Sequence, residues 1–484
     1  MKYLVLVLAL AACDGCDGPK YSVEQLQNPE TCKECHPKHY DQWSGSMHAY
    51  AAEDPVFVAM NKRGQRDTNG ALGDFCISCH APMALELGVQ NGANFDPATL
   101  PPEAKGVTCF FCHNVEQVTD DHNAPIELAM DQTMRGGTRN PVDNPAHHSK
   151  FDRELMASAT NKSTMCGACH DLVTPAGVHL ERSFAEWKET VFAINDPEAF
   201  LPQTCSGCHM FPTTGLIADK PGLDVAPRPN GFHEHMWPAI DQALTPFPQL
   251  AEQEAGIKRD LLDSINIKGP KPRASNESPG GICLEMNQYI DVRVDSFNVG
   301  HMFPSGAAQD RRLWVHLVVK DALGNVIYER GNVPDGVDPE ETSDTTVNCA
   351  PSMGVDGRTN CAAFYDRTFK ENGTPAHFFW EVASYQSHLI RPAVTFDQNA
   401  VGYDHSTTIR YDVGFSIYQV TDRVEATLRM RALPFAMLRD LEQSGDLDPA
   451  IKSQVKTLTV GRTSVWTKAT AGTGPAEFTN CNPE

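Results

Sequence analysis

Five times the chain spells Cys-x-x-Cys-His: Cys32-Lys-Glu-Cys35-His36, Cys76-Ile-Ser-Cys79-His80, Cys109-Phe-Phe-Cys112-His113, Cys166-Gly-Ala-Cys169-His170 and Cys205-Ser-Gly-Cys208-His209. Nothing else in the sequence restricts the fold so strongly. Of the 16 cysteines in the chain, most sit in these segments. Structural zinc uses Cys-x-x-Cys, but as two pairs closing one tetrahedron, and five pairs each trailed by His do not divide that way. Disulfide or thioredoxin-like use of a single pair leaves the following His unexplained.

The pattern is the attachment signature of c-type haem. Two thiols three residues apart reach the two vinyl groups along one porphyrin edge as thioethers. The adjacent His offers its imidazole to the iron as proximal ligand. Cys32, Cys35, Cys76, Cys79, Cys109, Cys112, Cys166, Cys169, Cys205 and Cys208 are therefore assigned to thioethers, and His36, His80, His113, His170 and His209 to five irons. Five haems in so short a stretch leave too few residues for a conventional apolar core. The porphyrins themselves must serve as core, close together, with helical pieces and loops wrapped around them.

A second axial ligand on an iron suits electron transfer, and an open position suits chemistry. Candidates for that position lie in or beside Gly-, Pro- or Asn-rich loops, where a side chain can be aimed without disturbing a helix: His48, His122, His147, His148, His179, His233, His235 and His301. Met210 and Met302 are alternatives that would raise a potential. His39 is expected to face solvent. His316, His377, His388 and His405 are expected to be structural, and Asp171 is read as a solvated loop carboxylate.

The opening MKYLVLVLALAACDG has a basic residue, a short apolar run and small residues before Cys13, the form of an export signal. Leu-Ala-Ala-Cys resembles a bacterial lipobox, which would make Cys13 a lipid attachment site. The run is too short to span a membrane as a helix. Export to the periplasmic side or cell surface, with a lipid anchor, is the expectation. The net charge of −22 argues against nucleic acid as a partner and favours steering toward basic partners.

Residues 1–18 are read as signal and linker start, 19–240 as the haem domain, 241–281 as a connecting helix and linker, 282–470 as a β-domain and 471–484 as a tail. LAEQEAGIKRDLLDSI has helical apolar spacing at Leu250, Ile257, Leu261, Leu262 and Ile265. Past residue 282 the period changes to two: Leu313, Val315, Leu317 and Val319 share one face. The fold class expected is a mainly α and irregular haem domain followed by an all-β antiparallel sandwich. Cys349 and Cys361 bracket a loop they could staple in an oxidising compartment. Cys283 and Cys481 could tie the domain's ends together, although sequence alone does not prove a pairing.

TCKECHPKHYDQWSGSMHAYA, GVTCFFCHNV, MCGACHDLVTPAGVHLERSFAEWKETVF and TCSGCHMFP together resemble the bacterial multihaem cytochromes c over about residues 31 to 235. That group includes the tetrahaem electron carrier of nitrifying bacteria and, more distantly, hydroxylamine oxidoreductase and pentahaem nitrite reductase. The resemblance implies that His48 is a distal ligand. VGHMFPSGAAQDRRLWVHLVVKDALGNVIYERG is similar to an immunoglobulin-like β-domain appended to some exported multihaem cytochromes. By that resemblance His301 reaches an iron from across the domain interface. No Cys-x-x-Cys-Lys, the catalytic motif of the nitrite reductases, occurs. An envelope electron carrier working with other redox proteins is therefore the expectation. The alternatives are a reductase or oxidase of a small nitrogen or sulfur species at a five-coordinate iron, and a subunit of a larger or polymeric assembly built through the β-domain.

Overall fold

The computed structural model describes residues 19–138, 140–141, 144–152, 163–193, 203–268, 282–285, 288–296, 298–349, 358–395, 397, 399–400, 403 and 405–469. Cys13, the linker from 269 to 281, and Cys481 lie outside them, as does the side chain of Cys283, so the lipidation and end-to-end disulfide readings concern residues not described.

The N-terminal half is built from short pieces because its motifs interrupt every longer run. Ile77–His80, Cys109–His113, Thr164–Cys169 and Cys205–His209 are single helical turns carrying a motif each. Thr108 and Thr204 start two of them, each hydroxyl accepting an N–H two residues into the turn, from Phe111 and Gly207. The longest helix there, Pro55–Asp67, is begun by Asp54, whose carboxylate accepts from the amides of Val56 and Phe57.

This half carries more strand than its composition predicts. Four two-stranded ladders join Val115–Val118 to Ile126–Leu128, Thr133–Gly136 to His148–Phe151, Asp171–Val173 to His179–Arg182, and Pro212–Gly215 to Arg228–His233. The second sets His147, directly before His148–Phe151, in the wall of the cavity described below. Its apolar clusters are small, such as Ala52, Ala81, Ala84, Leu100 and Ala104.

The C-terminal half has the large core. One sheet orders Ile282–Glu285, Tyr289–Asp295, Ser406–Asp412 and Arg358–Thr359, with Asn266–Lys268 also paired to Tyr289–Asp295. The other orders Val326–Arg330, Arg312–Lys320, Arg423–Arg431 and Leu458–Thr467, with Ala363–Phe364 added to Arg312–Lys320. Inward residues of both sheets share one core: Ile290, Val292 and Ile409 from the first, Leu313, Val315, Leu317, Val319 and Leu428 from the second. Helix Leu250–Ser264 lays Ile257 and Leu261 against the same core. Cys349 and Cys361 form a disulfide with Cα atoms 4.8 Å apart.

This half is not all β, and its pairing is not all antiparallel: Arg358–Thr359 runs parallel to Ser406–Asp412. Helix Phe435–Gln443 packs Met437, Leu438 and Leu441 against Val56 and Ala59 of helix Pro55–Asp67. Its first amides, from Phe435 and Ala436, donate to the Asp338 carboxylate at 2.9 and 2.8 Å. The apolar spacing of FAMLRDL is helical, but it lies directly behind a strand-like run that hides it. Ion pairs add to the contact between halves: Arg66 with Asp446 at 2.6 Å, Arg182 with the buried Asp366 at 2.7 Å, and Arg311 with Asp241 at 2.6 Å.

Candidate functional site

All five Cys-x-x-Cys-His segments open onto a single cavity of about 2500 Å³, well beyond the roughly 300–1,000 Å³ of an ordinary ligand pocket. The ten motif thiols are free. Thiols of different motifs lie close enough to perturb one another: Cys32 with Cys109, Cys79 with Cys169, and Cys166 with Cys205. The attachment points of motifs one and three are therefore neighbours, as are those of two and four, and of four and five. In the fourth motif Gly167 is required, because a Cβ there would come within 2.2 Å of the Phe184 ring.

Besides His39, which follows His36 in its own helix at 5.9 Å, four imidazoles from outside the motifs come to motif imidazoles at one characteristic spacing. His147 lies 6.4 Å from His36, His48 lies 6.1 Å from His170, His235 lies 6.4 Å from His113, and His301 lies 6.5 Å from His209, ring centre to ring centre. Two imidazoles bound end-on to one metal, at about 2.0–2.1 Å per nitrogen, have ring centres about 6 Å apart.

The ring nitrogens are sorted for the same purpose. Nδ1 of His36 donates to Ile217 O at 2.7 Å, of His113 to Arg135 O at 2.5 Å, of His80 to Ala51 O at 3.3 Å and of His209 to Pro238 O at 3.3 Å. Among the partners, His147 donates to His148 O, His235 to His233 O and His301 to Met302 O. A carbonyl only accepts, so the proton sits on Nδ1 and the lone pair of Nε2 is left for a metal. Burial pushes His48 and His235 down to about 3 and His80 to about 4. These rings are neutral at physiological pH, the ligating form. The donor set, the thiol spacing and the cavity all fit haem c.

Local structure explains how the partners are aimed. His147 precedes strand His148–Phe151, whose ladder partner Thr133–Gly136 supplies the carbonyl that holds His113. Asn144 caps that approach, accepting from the amides of Ala146 and His147. His235 follows strand Arg228–His233, and its amide donates to Gln42 at 3.0 Å. Trp237 touches both His48, at 4.6 Å, and His235, at 5.1 Å. His301 sits on the loop of the C-terminal half, which is pinned to helix Ser183–Lys188. There Glu186 accepts from the Met302 amide at 3.2 Å and the Ser305 hydroxyl at 2.6 Å, and Ser183 accepts from the Gly306 amide at 3.0 Å.

His80 differs. Its ring stacks on Phe57 at 4.1 Å, and among the described residues no imidazole stands near 6.4 Å from it. His122 and His179 instead approach each other, at 6.4 Å, beside Asp121 and Asp171, and neither lines the cavity. His148 is exposed. His233 lines the cavity but donates Nδ1 to Met210 O without a motif partner.

Two expectations are overturned. His39 does not face solvent: it lies in the cavity wall, 4.8 Å from His235 and 4.3 Å from Phe232, and burial pushes it down to about 2. Its place in the first turn of helix Pro37–Ser44 sets it against Phe232 and His235. Asp171 is not a solvated loop carboxylate. It is buried, accepts from the amides of Phe184 and Ala185, and is raised to about 7 by burial. Its partners lie 13 and 14 residues further along the chain, so the sequence carried no signal for it.

One cavity is thus ringed by five Cys-x-x-Cys-His motifs and four pairs of imidazoles. Residues 31–114, spanning the first three motifs, match the family model described as cytochrome c554 and c-prime. The fold is similar to the crystal structure of a penta-heme cytochrome c552 from Thermochromatium tepidum, with a TM-score of 0.56 and 18% identity over 92% of this chain and 100% of that one. That likeness takes in both halves. No curated protein matches the chain.

Proposed function

We propose that the protein is an exported pentahaem c-type cytochrome that carries electrons through the bacterial cell envelope. The observation that carries this reading is the set of four imidazole pairs at 6.1–6.5 Å around one cavity. Bound haem c supplies one-electron iron chemistry. The chain's part is to tether, ligate and space. Ten cysteines would hold porphyrin edges, and the His36–His147, His48–His170, His113–His235 and His209–His301 pairs would each supply two imidazole nitrogens to one of four irons. Neighbouring thiols set the order: motif one beside three, and motif four beside two and five. Trp237, between His48 and His235, joins the two groups. In this reading the C-terminal half is an immunoglobulin-like β-domain that supplies His301, Cys13 bears a lipid, and the partners are redox proteins of the envelope. His301 pairs with His209 of its own chain, which favours a self-contained carrier over a polymer sharing ligands. Mass analysis of protein matured in its native export pathway tests the reading: five added haems are expected, and the bare polypeptide mass overturns it.

A second reading is favoured by one observation. Among the described residues no imidazole pairs with His80, so an iron held there would keep a position open, suited to a small nitrogen or sulfur species. A high-spin ferric signal from one iron per chain, lost on adding nitrite or nitric oxide, is the expected result. Purely low-spin spectra in every redox state exclude it.

A further inference from the structure

Away from the cavity, two segments distant in sequence bring two imidazoles and a buried carboxylate together. Asn123 fastens the turn after strand Val115–Val118 to strand Asp171–Val173. Its amide donates to Asp171 O at 3.1 Å, and its side chain exchanges two hydrogen bonds with the Val173 backbone, both at 2.9 Å. His122 is thereby set beside His179, which pairs with Val173 across the ladder, and the two ring centres lie 6.4 Å apart. Nδ1 of His122 donates to Asp121 at 3.1 Å, which leaves the Nε2 lone pair free. Asp120, 3.9 Å from the same Nδ1, adds a second negative charge. His179 Nε2 is buried with no hydrogen-bond partner. It stands 3.5 Å from Oδ2 of Asp171, beyond the usual reach of a hydrogen bond. The gap is close to the ~3.3 Å between two atoms bound tetrahedrally to one zinc at about 2.0–2.1 Å each. The Asp171 carboxylate is held in orientation by the amides of Phe184 and Ala185, at 3.2 and 3.0 Å. The neighbouring cations are committed elsewhere, Lys188 to Asp121 at 2.6 Å and Arg182 to Asp366 at 2.7 Å. Among the described residues no lysine or arginine pairs with Asp171, so a buried carboxylate and an unpartnered imidazole nitrogen face each other with no side-chain cation to share.

We propose that His122, His179 and Asp171 bind one divalent cation of the zinc class. Two imidazoles select a transition metal over calcium or magnesium, which take oxygen ligands. Three protein ligands leave a fourth position to water. Both imidazoles are partly exposed, so the ion reaches them from bulk solvent. Once bound, it ties the segment after the third motif to the hairpin after the fourth. None of the three ligands lines the cavity, so this site is independent of what the cavity holds.

The test uses the mature full-length protein, dialysed against a chelator and then titrated with zinc chloride by calorimetry near neutral pH. One zinc per chain is expected in wild type. His122→Ala and His179→Ala should each weaken binding by more than about tenfold, while His148→Ala, at an exposed histidine, should leave it unchanged. Zinc should also raise the wild-type unfolding temperature as its concentration rises, because an ion that binds only the folded chain stabilises it. An anomalous difference map at the zinc edge, from a zinc-soaked crystal of the wild type, should place the ion between the two rings and Asp171, which covers the case of a variant that does not fold. No stoichiometric zinc in wild type, affinity retained in both histidine variants, or an anomalous peak elsewhere overturns the inference.

Discussion

At the scale of single residues, the molecule's chemistry depends on which nitrogen of each imidazole is spoken for. His36, His80, His113, His147, His209, His235 and His301 each spend Nδ1 on a backbone carbonyl. A ring anchored this way has one orientation and one free lone pair, the arrangement that preorganises metal ligands. His179 shows the contrast, since its Nε2 lies 3.5 Å from Asp171 and faces away from the cavity. Replacement of His301 by Ala is expected to convert one low-spin iron to high spin, read by electron paramagnetic resonance. His179→Ala should leave every axial signal in place. An unchanged spectrum in His301→Ala would remove that residue from the ligand set.

Among the elements, the loop carrying His301 is the most instructive. It owes its position to a helix more than a hundred residues earlier, through Glu186 and Ser183. Glu186 is buried, and burial raises its carboxyl, so it is retained for its hydrogen bonds to Met302 and Ser305 and its ion pair with Arg182 at 3.5 Å. Glu186→Ala should leave the Met302 amide unpaired, costing about 1–3 kcal/mol in urea unfolding and broadening the spectral signature assigned to His301. The motif turns, the strand Arg312–Lys320 and the helix Leu250–Ser264 were legible in the sequence because each is governed by local spacing. The ladder strands around His147 and His235 were not, since runs as short as His148–Phe151 carry no period, and their pairing is decided by the cavity they fold around. Nor was the choice among eight candidate histidines: His147 and His148 are neighbours in sequence, yet one enters the cavity and the other points to solvent. Glu181 gave no sequence signal, because Arg311, Asp310 and Asp241, the charges that act on it, arrive from distant segments.

For the molecule as a whole, pH acts through the same acids. Glu181 is raised from an ordinary 4.5 to about 7, so the folded chain holds a proton there that the unfolded chain has released. Its contribution to stability is complete below pH 4.5 and is lost as pH rises through 7. Gln mimics the protonated form, so Glu181→Gln should match wild type in thermal unfolding at pH 5 and exceed it at pH 8.5. A constant difference across that range would place the titration elsewhere. The cavity also has a wall from each half, and the fifth motif's partner imidazole comes from beyond helix Leu250–Ser264. On the proposed haem c reading, porphyrins joined to cysteines would have to be in place before the two halves close on one another. Covalent attachment has to work on an open chain, and docking of the strand-rich half then acts as a check on loading, because only a filled interior gives it a surface to settle against.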